Sequence, residues 1–443
     1  MQLPTAFEER TRLLLGEEYP AFIKALNETP PTSIRVNDKM NYVPSSQKVA
    51  WCESGYYLPE RPSFTSDPLF HAGVYYVQEA SSMFLQQAIN QHFPEAKNIL
   101  DVCAAPGGKT TLLSQSFDND TLIVSNEIIH SRVKILAENV IKWGNANVIV
   151  TNNEPADFSK LSSFFDTVIV DAPCSGEGLF RKNPAAIQEW SVENVQKCAV
   201  RQKKIVQEVW DALKTDGILV YSTCTYNREE NEENVFWICK ELGAELLNLD
   251  VSRWKNITVS DGGYRFYPHK IRGEGFFLSI LRKTAKTPIR NYSFKKKETS
   301  KTQPISLPSI SLKRPENWIF ELNNQQLKAY PKNRWKDLQL IQQTFSCVLS
   351  GIKLGEIKNK DFIPSAQLAL SKELDLNTVE KVEVNYQTVI QFLKKEPLTI
   401  DFSKKGFVLL TYTGQPLGWI KNLGNRYNNL YPNEWRIRMK INE

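Results

Sequence analysis

The sequence predicts an α/β fold organised around a doubly wound, mostly parallel sheet over residues 96–283. Three observations carry that expectation. Short Val/Ile-rich runs, such as Val168-Ile169-Val170 and Ile218-Leu219-Val220-Tyr221, read as strands buried on both faces. Segments with helical apolar spacing separate them, as with Val133, Leu136 and Val140. A glycine-rich turn follows the first run, and such sheets bind ligands outside the carboxyl ends of their strands.

The elements follow in order. Met1 to Leu26 reads as an amphipathic helix carrying Glu8, Glu9, Arg10, Arg12, Glu17 and Glu18. Strand Ile99–Val102 leads through the glycine-rich turn to a helix from Thr110, and strand Thr121–Ser125 leads to helix Ser131–Trp143. Strands Val148–Val150 and Thr167–Val170 come next, then a long helix near Glu193–Lys214 that Asp216-Gly217 ends. Strand Ile218–Tyr221, helix Glu229–Leu242 and a closing pair including Gly275–Leu281 complete the alternation. Residues 284–315 are dominated by Lys, Ser, Thr and Pro around Lys295-Lys296-Lys297, which predicts a mobile basic linker. Strand-like segments such as Gly406–Tyr412 and Leu417–Lys421, with one helix near Tyr386–Lys395, predict a small β-barrel with an aromatic, basic face over residues 316–443.

Composition narrows the class. A chain of 443 residues is long enough for two or three domains, and 41% hydrophobic with 23% charged residues describes a soluble globular protein. No apolar run approaches the ~20 residues of a membrane span, and the start lacks the apolar core of a secretory signal. The seven cysteines (52, 103, 174, 198, 224, 239 and 347) form no C-x-x-C pair, which points to reduced thiols in a cytoplasm rather than disulfides or zinc. The four histidines lack metalloprotease spacing, so no metal is expected. Residues 1–283 carry 29 Lys/Arg against 35 Asp/Glu, a net of −6, whereas residues 284–443 carry 26 against 14, a net of +12. A basic part joined to a mildly acidic body suggests a polyanion partner, against the plainer reading of a solvated basic surface.

The candidate chemistry sits at strand ends. Asp101-Val102-Cys103-Ala104-Ala105-Pro106-Gly107-Gly108-Lys109-Thr110 occupies the first strand-to-helix turn, where glycines let backbone N–H groups approach a ligand. Cys103 stands where a phosphate-binding G-x-x-x-x-G-K-[ST] loop needs its first glycine, and G-x-G-x-x-G is absent. Glu127, just past the second strand, is placed to accept hydrogen bonds from ribose hydroxyls. Cys174 in Asp171-Ala172-Pro173-Cys174 and Cys224 in Ser222-Thr223-Cys224-Thr225 each end a β-rich run. Few reactions need two thiols placed this way, and methylation of a pyrimidine at C5 is one. C5 of cytosine is a poor nucleophile until a thiolate adds at C6 and makes C5 an enamine carbon. The C5 proton must then leave and the thiol be expelled, which needs an acid/base group. Asp171 is placed to hold the amino edge or N3 of the base, with Lys109 tuning it. The plainer reading, small buried hydrophobes, is assigned to Cys198, Cys239 and Cys347.

Asp171–Gly178 (DAPCSGEG) and Ser222–Tyr226 (STCTY) resemble the fourth and sixth motifs of the NOL1/NOP2/Sun family of S-adenosylmethionine-dependent RNA cytosine-C5 methyltransferases. The 101–110 turn resembles that family's cofactor loop, and Ser33–Asn37 and Tyr76–Met83 match its upstream patterns. The resemblance implies a Rossmann-like class I methyltransferase sheet at 96–283, preceded by an RNA-binding α+β extension over 1–95. It implies S-adenosylmethionine contacts from Cys103, Ala104, Ala105, Pro106, Gly107, Gly108 and Lys109, with Glu127 and Asp171 beside them. It carries the nucleophile onto Cys224 and assistance in product release onto Cys174. Where the third cofactor motif usually offers an Asp, this chain has Asn152-Asn153-Glu154, which leaves the adenine contact open between Asn153 and Glu154.

The companion Glu-Asn-Val string of DNA cytosine methyltransferases is absent, as is the Asn/Asp-Pro-Pro-Tyr of amino-group methylation, so DNA is not an expected partner. Gly414–Lys421, Asn429–Pro432 and Trp435–Arg438 are similar to the PUA-like tail of the bacterial 16S rRNA methyltransferase F group, which implies a hold on structured RNA. The expectation is a cytoplasmic, monomeric enzyme that methylates C5 of a flipped cytosine in small-subunit RNA. The same chemistry on tRNA, or a non-catalytic assembly factor with this fold, are the alternatives. Arg181 and Lys182, after the fourth motif, are read either as phosphate contacts or as a solvated helix start.

Overall fold

The computed structural model describes residues 1–38, 42, 44–287, 310, 312–359 and 361–439. Most of the expected linker, with Lys295-Lys296-Lys297, lies outside the described residues. No helix among the described residues is long and apolar enough to cross a membrane.

The expected first helix is two: α1 (Thr5–Leu15) and α2 (Tyr19–Leu26) part at Gly16, whose φ of 54° does not continue a right-handed α-helix. Strands β1 (Thr32–Val36), β2 (Gly55–Leu58) and, after α3 (Pro68–His71), β3 (Tyr75–Val77) form an antiparallel sheet in the order β2-β1-β3. Helix α4 (Leu85–His92) leads into the central sheet.

That sheet alternates as expected. It runs β4 (Asn98–Asp101), α5 (Gly108–Ser116), β5 (Leu122–Asn126), α6 (His130–Trp143), β6 (Val148–Thr151) and β7 (Phe165–Asp171). Helices α7 (Pro184–Glu189) and α8 (Val192–Val209), β8 (Leu213–Thr223), α9 (Glu232–Leu242) and β9 (Ala244–Leu247) follow, then β10 (Thr258–Ser260), β11 (Gly263–Phe266) and β12 (Phe276–Lys283). Strands β6-β5-β4-β7-β8 are parallel neighbours, with β12 antiparallel beside β8. The order reverses between β4 and β7, and ligands bind at such a switch point. One apolar layer, with Leu112, Val133 and Leu136, covers one face of the sheet; a second, with Val206, Val209 and Ile238, covers the other.

Asp216-Gly217 does not end the long helix. Helix α8 stops at Val209, and the pair lies inside β8, with Asp216 at φ 62° and the pairing to β7 slipping between Phe165 and Thr167. The same turn chemistry therefore makes a bulge. A Cβ at Gly217 would lie 2.9 Å from the Lys214 carbonyl oxygen, which is why glycine stands there.

The described residues of 316–443 build two four-stranded sheets and three α-helices, rather than one barrel with a single helix. The first sheet takes β13 (Trp318–Asn323), β14 (Gln326–Pro331), β16 (Ile352–Lys358) and β17 (Asp361–Pro364). Between β14 and β16 come α10 (Trp335–Thr344) and β15 (Cys347–Leu349), and β15 pairs with β6 of the central sheet. After α11 (Ala366–Leu370), the second sheet takes β18 (Lys381–Glu383), β19 (Gly406–Tyr412), β20 (Gln415–Asn422) and β21 (Tyr427–Asn429), with α12 (Tyr386–Lys394) inserted. The apolar spacing of Leu338 and Ile341 makes α10 a helix that the reading of the region as strand-rich overlooked.

The second sheet shares a core with the N-terminal sheet, where Ile34, Val74 and Tyr75 meet Phe392, Leu410 and Tyr431. His71 lies in that seam, 5% exposed, with Nε2 2.9 Å from the Thr65 carbonyl and Nδ1 3.4 Å from the Tyr431 hydroxyl. Burial, with Lys142 nearby, lowers its pKa to about 4, so the folded chain holds it neutral. The unfolded chain protonates it near pH 6.5, so its stabilising effect is complete above that value and is lost as pH falls toward 4. At pH 5 the loss is about 2 kcal/mol. Urea unfolding at pH 7 and pH 5 should show the native chain losing that much more than His71→Gln; equal losses would contradict the assignment.

Candidate active site at the carboxyl ends of the central strands

Strands β4, β5, β7 and β8 deliver the candidate residues to one rim. Asp101 ends β4 fully buried, its Oδ2 accepting from the Thr110 hydroxyl at 2.7 Å while Oδ1 has no hydrogen-bond partner. Burial raises its pKa to about 7. The following loop reaches Gly107, whose φ of 115° starts α5. That helix begins two residues before the expected Thr110. A cavity of about 190 Å³ opens over Cys103, Ala104, Ala105, Pro106, Gly108 and Lys109, with Asp101 and Asp171 in its lining. Burial raises the Cys103 thiol.

The opposite wall, Tyr76–Glu79 and Ser82, comes from the N-terminal part and was missed as a site from sequence, although the Tyr76–Met83 string was noted. Arg35, on the other noted string, holds this wall to the loop. Fully buried, it donates to Gln78 at 2.8 Å and Gln115 at 2.7 Å, and its guanidinium lies 4.4 Å from the Trp143 ring centroid.

Glu127 follows β5 and is 2% exposed, accepting from the Ile129 N–H at 2.9 Å and pairing with Arg132 at 3.2 Å. Arg132 also donates to the Ala105 carbonyl at 2.8 Å, which ties this acid to the loop. Gly107, Glu127, Asn153 and Glu154 do not line the 190 Å³ cavity. Glu154 is exposed, whereas the Asn153 amide accepts from the Ser346 N–H at 3.0 Å.

Asp171 and Lys109 form an ion pair at 2.7 Å, and Asp171 also accepts from the Ser222 hydroxyl at 2.7 Å. Parallel pairing sets Asp171 beside Ser222, so the two cysteine turns leave the sheet side by side. Their sulfurs lie 2.9 Å apart, and the Cys224 N–H donates to the Cys174 Sγ at 3.3 Å. The hydrogen bond to Cys224, and then burial, push the Cys174 thiol well up.

Two buried carboxylates hold these turns. Glu177 accepts from the Thr225 hydroxyl at 2.6 Å, the Tyr226 N–H at 2.8 Å and the Asn227 N–H at 3.0 Å. Glu230 accepts from the Ser175 N–H at 3.0 Å and from Gln202 and Asn227 at 2.7 Å each. Its own N–H donates to Asn227 Oδ1 at 2.9 Å, in a turn that delays α9 to Glu232 rather than the expected Glu229. A charge-assisted clamp of this kind fixes a turn better than neutral partners would. Glu177 lies inside the DAPCSGEG string but was read only as motif; nothing in the spacing marked Glu230. Gly178 is dictated by contact, since a Cβ there would come within 2.7 Å of the Cys224 carbonyl oxygen.

Arg181 is not the solvated helix start that was one reading of it. Its side chain is 5% exposed and pairs with Glu274 at 3.0 Å, donating also to the Gly273 carbonyl at 2.8 Å. Lys182 reaches the same carboxylate at 3.3 Å from a more open position.

Three family signatures match the chain: "N-terminal domain of 16S rRNA methyltransferase RsmF" over residues 3–80, "16S rRNA methyltransferase RsmB/F" over 88–282, and "Methyltransferase RsmF PUA domain" over 379–437. The ribosomal RNA small subunit methyltransferase F of Escherichia coli O127:H6 is 33% identical over 413 residues, covering 87% of this chain and 84% of that protein. The protein of the same name from Shigella boydii serotype 4 is 32% identical over the same shares. Among solved structures, a methyltransferase homologue from Pyrococcus horikoshii aligns with a TM-score of 0.55 at 29% identity, over 63% of this chain and 95% of that one. NSun6 from Pyrococcus horikoshii with SFG, an analogue of S-adenosylmethionine, shares the fold at a TM-score of 0.54 and 21% identity, over 64% of this chain and 99% of that one.

Proposed function

The chain belongs to the RsmB/F family of 16S rRNA methyltransferases, and we propose that it methylates C5 of a cytosine in 16S rRNA through a covalent bond from Cys224 to C6. It is an S-adenosylmethionine-dependent rRNA methyltransferase with a Rossmann-like core and a C-terminal PUA domain. The observation that carries the cytosine-C5 reading is the 2.9 Å approach of two thiols beside the Lys109–Asp171 pair.

The cavity residues fit the cofactor. A buried, unpartnered Asp101 Oδ1 beside a glycine-rich helix start suits a polar, partly cationic ligand, and Glu127, outside the cavity lining but tied to the loop through Arg132, offers its carboxylate to a ribose. Residues 103–109, Asp101 and Glu127 would hold it. S-adenosylmethionine, when bound, supplies the methyl group. Asp171, paired with Lys109 at 2.7 Å, orients the base by its amino edge or N3. The Cys224 thiolate adds to C6 and raises electron density at C5. After methylation the C5 proton passes to a base. Cys174, which retains its proton, hydrogen-bonds the departing Cys224 sulfur. The buried glutamates keep both sulfurs in register throughout.

The proposal includes a monomeric enzyme in the cytoplasm, where its thiols stay reduced, acting on small-subunit RNA held in part by the PUA region. Bisulfite sequencing of total rRNA and tRNA from cells with and without the gene tests it. A 16S cytosine that loses protection in the deletion is the expected result. Loss confined to tRNA would overturn the substrate, and no change would overturn the activity.

A further inference from the structure

One short segment of the C-terminal half reaches the cofactor side of the molecule. Residues 345–349 leave α10 and add β15 to the edge of β6, with Cys347 opposite Thr151 and Leu349 paired to Val150. Just past that pairing, the Ser346 N–H donates to Asn153 Oδ1 at 3.0 Å, and the Asn152 N–H donates to the Ser346 carbonyl at 3.0 Å. Phe345, 6% exposed, stacks on Phe158 with ring centroids 4.6 Å apart.

The strip held this way carries the third cofactor motif. The Asn152 amide donates to the Glu127 carbonyl at 2.6 Å and the Ile128 carbonyl at 2.9 Å. The Asn153 N–H donates to Asn126 Oδ1 at 3.0 Å, and the Asn126 amide donates to the Asn153 carbonyl at 2.9 Å. Hydrogen bonds therefore run without a gap from Ser346 to the segment bearing Glu127. A four-residue strand at a sheet edge, with one side unpaired, opens more readily than a central one, and β15 removes that edge from β6.

We propose that residues 345–349 are a positioning element of the S-adenosylmethionine site. They hold Asn152-Asn153, and through them Glu127, in the geometry that takes the adenosine part. The C-terminal half thus acts on cofactor affinity apart from any contact with RNA. This rests on the cofactor reading given above.

The full-length chain tests it by calorimetric titration with S-adenosylhomocysteine and, separately, by filter binding of a 16S rRNA fragment. Ser346→Pro removes the N–H that reaches Asn153 and keeps the carbonyl that Asn152 reaches. Phe345, at φ −124° and ψ 157°, already has the extended backbone that precedes proline. Ser346→Ala keeps both bonds, and Asn153→Ala removes the acceptor. Losing one such bond should weaken S-adenosylhomocysteine about five- to tenfold in Ser346→Pro and Asn153→Ala. Ser346→Ala should match the native chain, and all should bind the RNA within about twofold of it. Unchanged S-adenosylhomocysteine affinity in Ser346→Pro overturns the inference, as does a parallel loss of RNA binding, which would mark general loosening. A native chain that fails to bind S-adenosylhomocysteine overturns the cofactor reading itself, and this inference with it.

Discussion

Cys224→Ala should abolish methyl transfer, lowering turnover by a factor on the order of 10⁴ to 10⁶, the scale on which loss of a covalent nucleophile is felt. Without a thiolate at C6, C5 of cytosine has no enamine character, and no neighbour is placed to replace it. Cys174 lies 2.9 Å away, yet its thiol is pushed well up and stays protonated, so it is a poor substitute. The fold should tolerate the change. Cys224 holds its neighbours through its backbone, its carbonyl accepting from the Gly178 N–H at 2.8 Å, and the Glu177 clamp engages Thr225, Tyr226 and Asn227. S-adenosylhomocysteine should therefore bind the variant as it binds the native chain, because the cofactor cavity does not include residue 224. Filter assays with labelled methyl donor, and denaturing gels for RNA-linked protein, read both effects. Turnover within tenfold of native would sink the assignment of Cys224.

The rim was legible in the sequence for a simple reason. Buried parallel strands such as Thr167–Val170 are forced to be short and apolar, so the polar and thiol residues that interrupt them stand out, and Asp171, Cys174 and Cys224 mark the strand ends. The supports of that rim were not legible. Arg35, Glu177 and Glu230 act through long-range hydrogen bonds, and a buried charged residue looks in sequence like any solvated one. Arg181 shows the same blindness in reverse: placed beside a motif, it was read as a substrate or solvent group, yet Glu274, distant in sequence, claims it. Asp216-Gly217 carries correct turn chemistry, but whether it ends a helix or bulges a strand depends on β7, which no local window contains. Ser346 is the extreme case, since only its backbone atoms take part and any residue but proline supplies those.

Cys174→Ala should behave in the opposite way and accumulate a protein–RNA adduct that survives denaturant. The native sulfur pair gives Cys224 a hydrogen-bonding partner at the moment its bond to C6 must break. Alanine leaves C6 addition and methylation intact, because neither uses the second thiol, but it withdraws that partner from the departing sulfur. The reaction should then stall after methylation, with a shifted band on denaturing gels, containing RNA and appearing only when methyl donor is supplied. Asp171 stays paired with Lys109 and Ser222, so base orientation persists and the adduct forms at a near-native rate. The double variant Cys174→Ala/Cys224→Ala separates this from adventitious crosslinking, since it lacks the nucleophile and should show no band. An adduct in Cys224→Ala but not in Cys174→Ala would exchange the two roles. It would make the thiol with the raised pKa the nucleophile, which the 2.9 Å pair allows only if RNA binding moves the proton from Cys174 to Cys224.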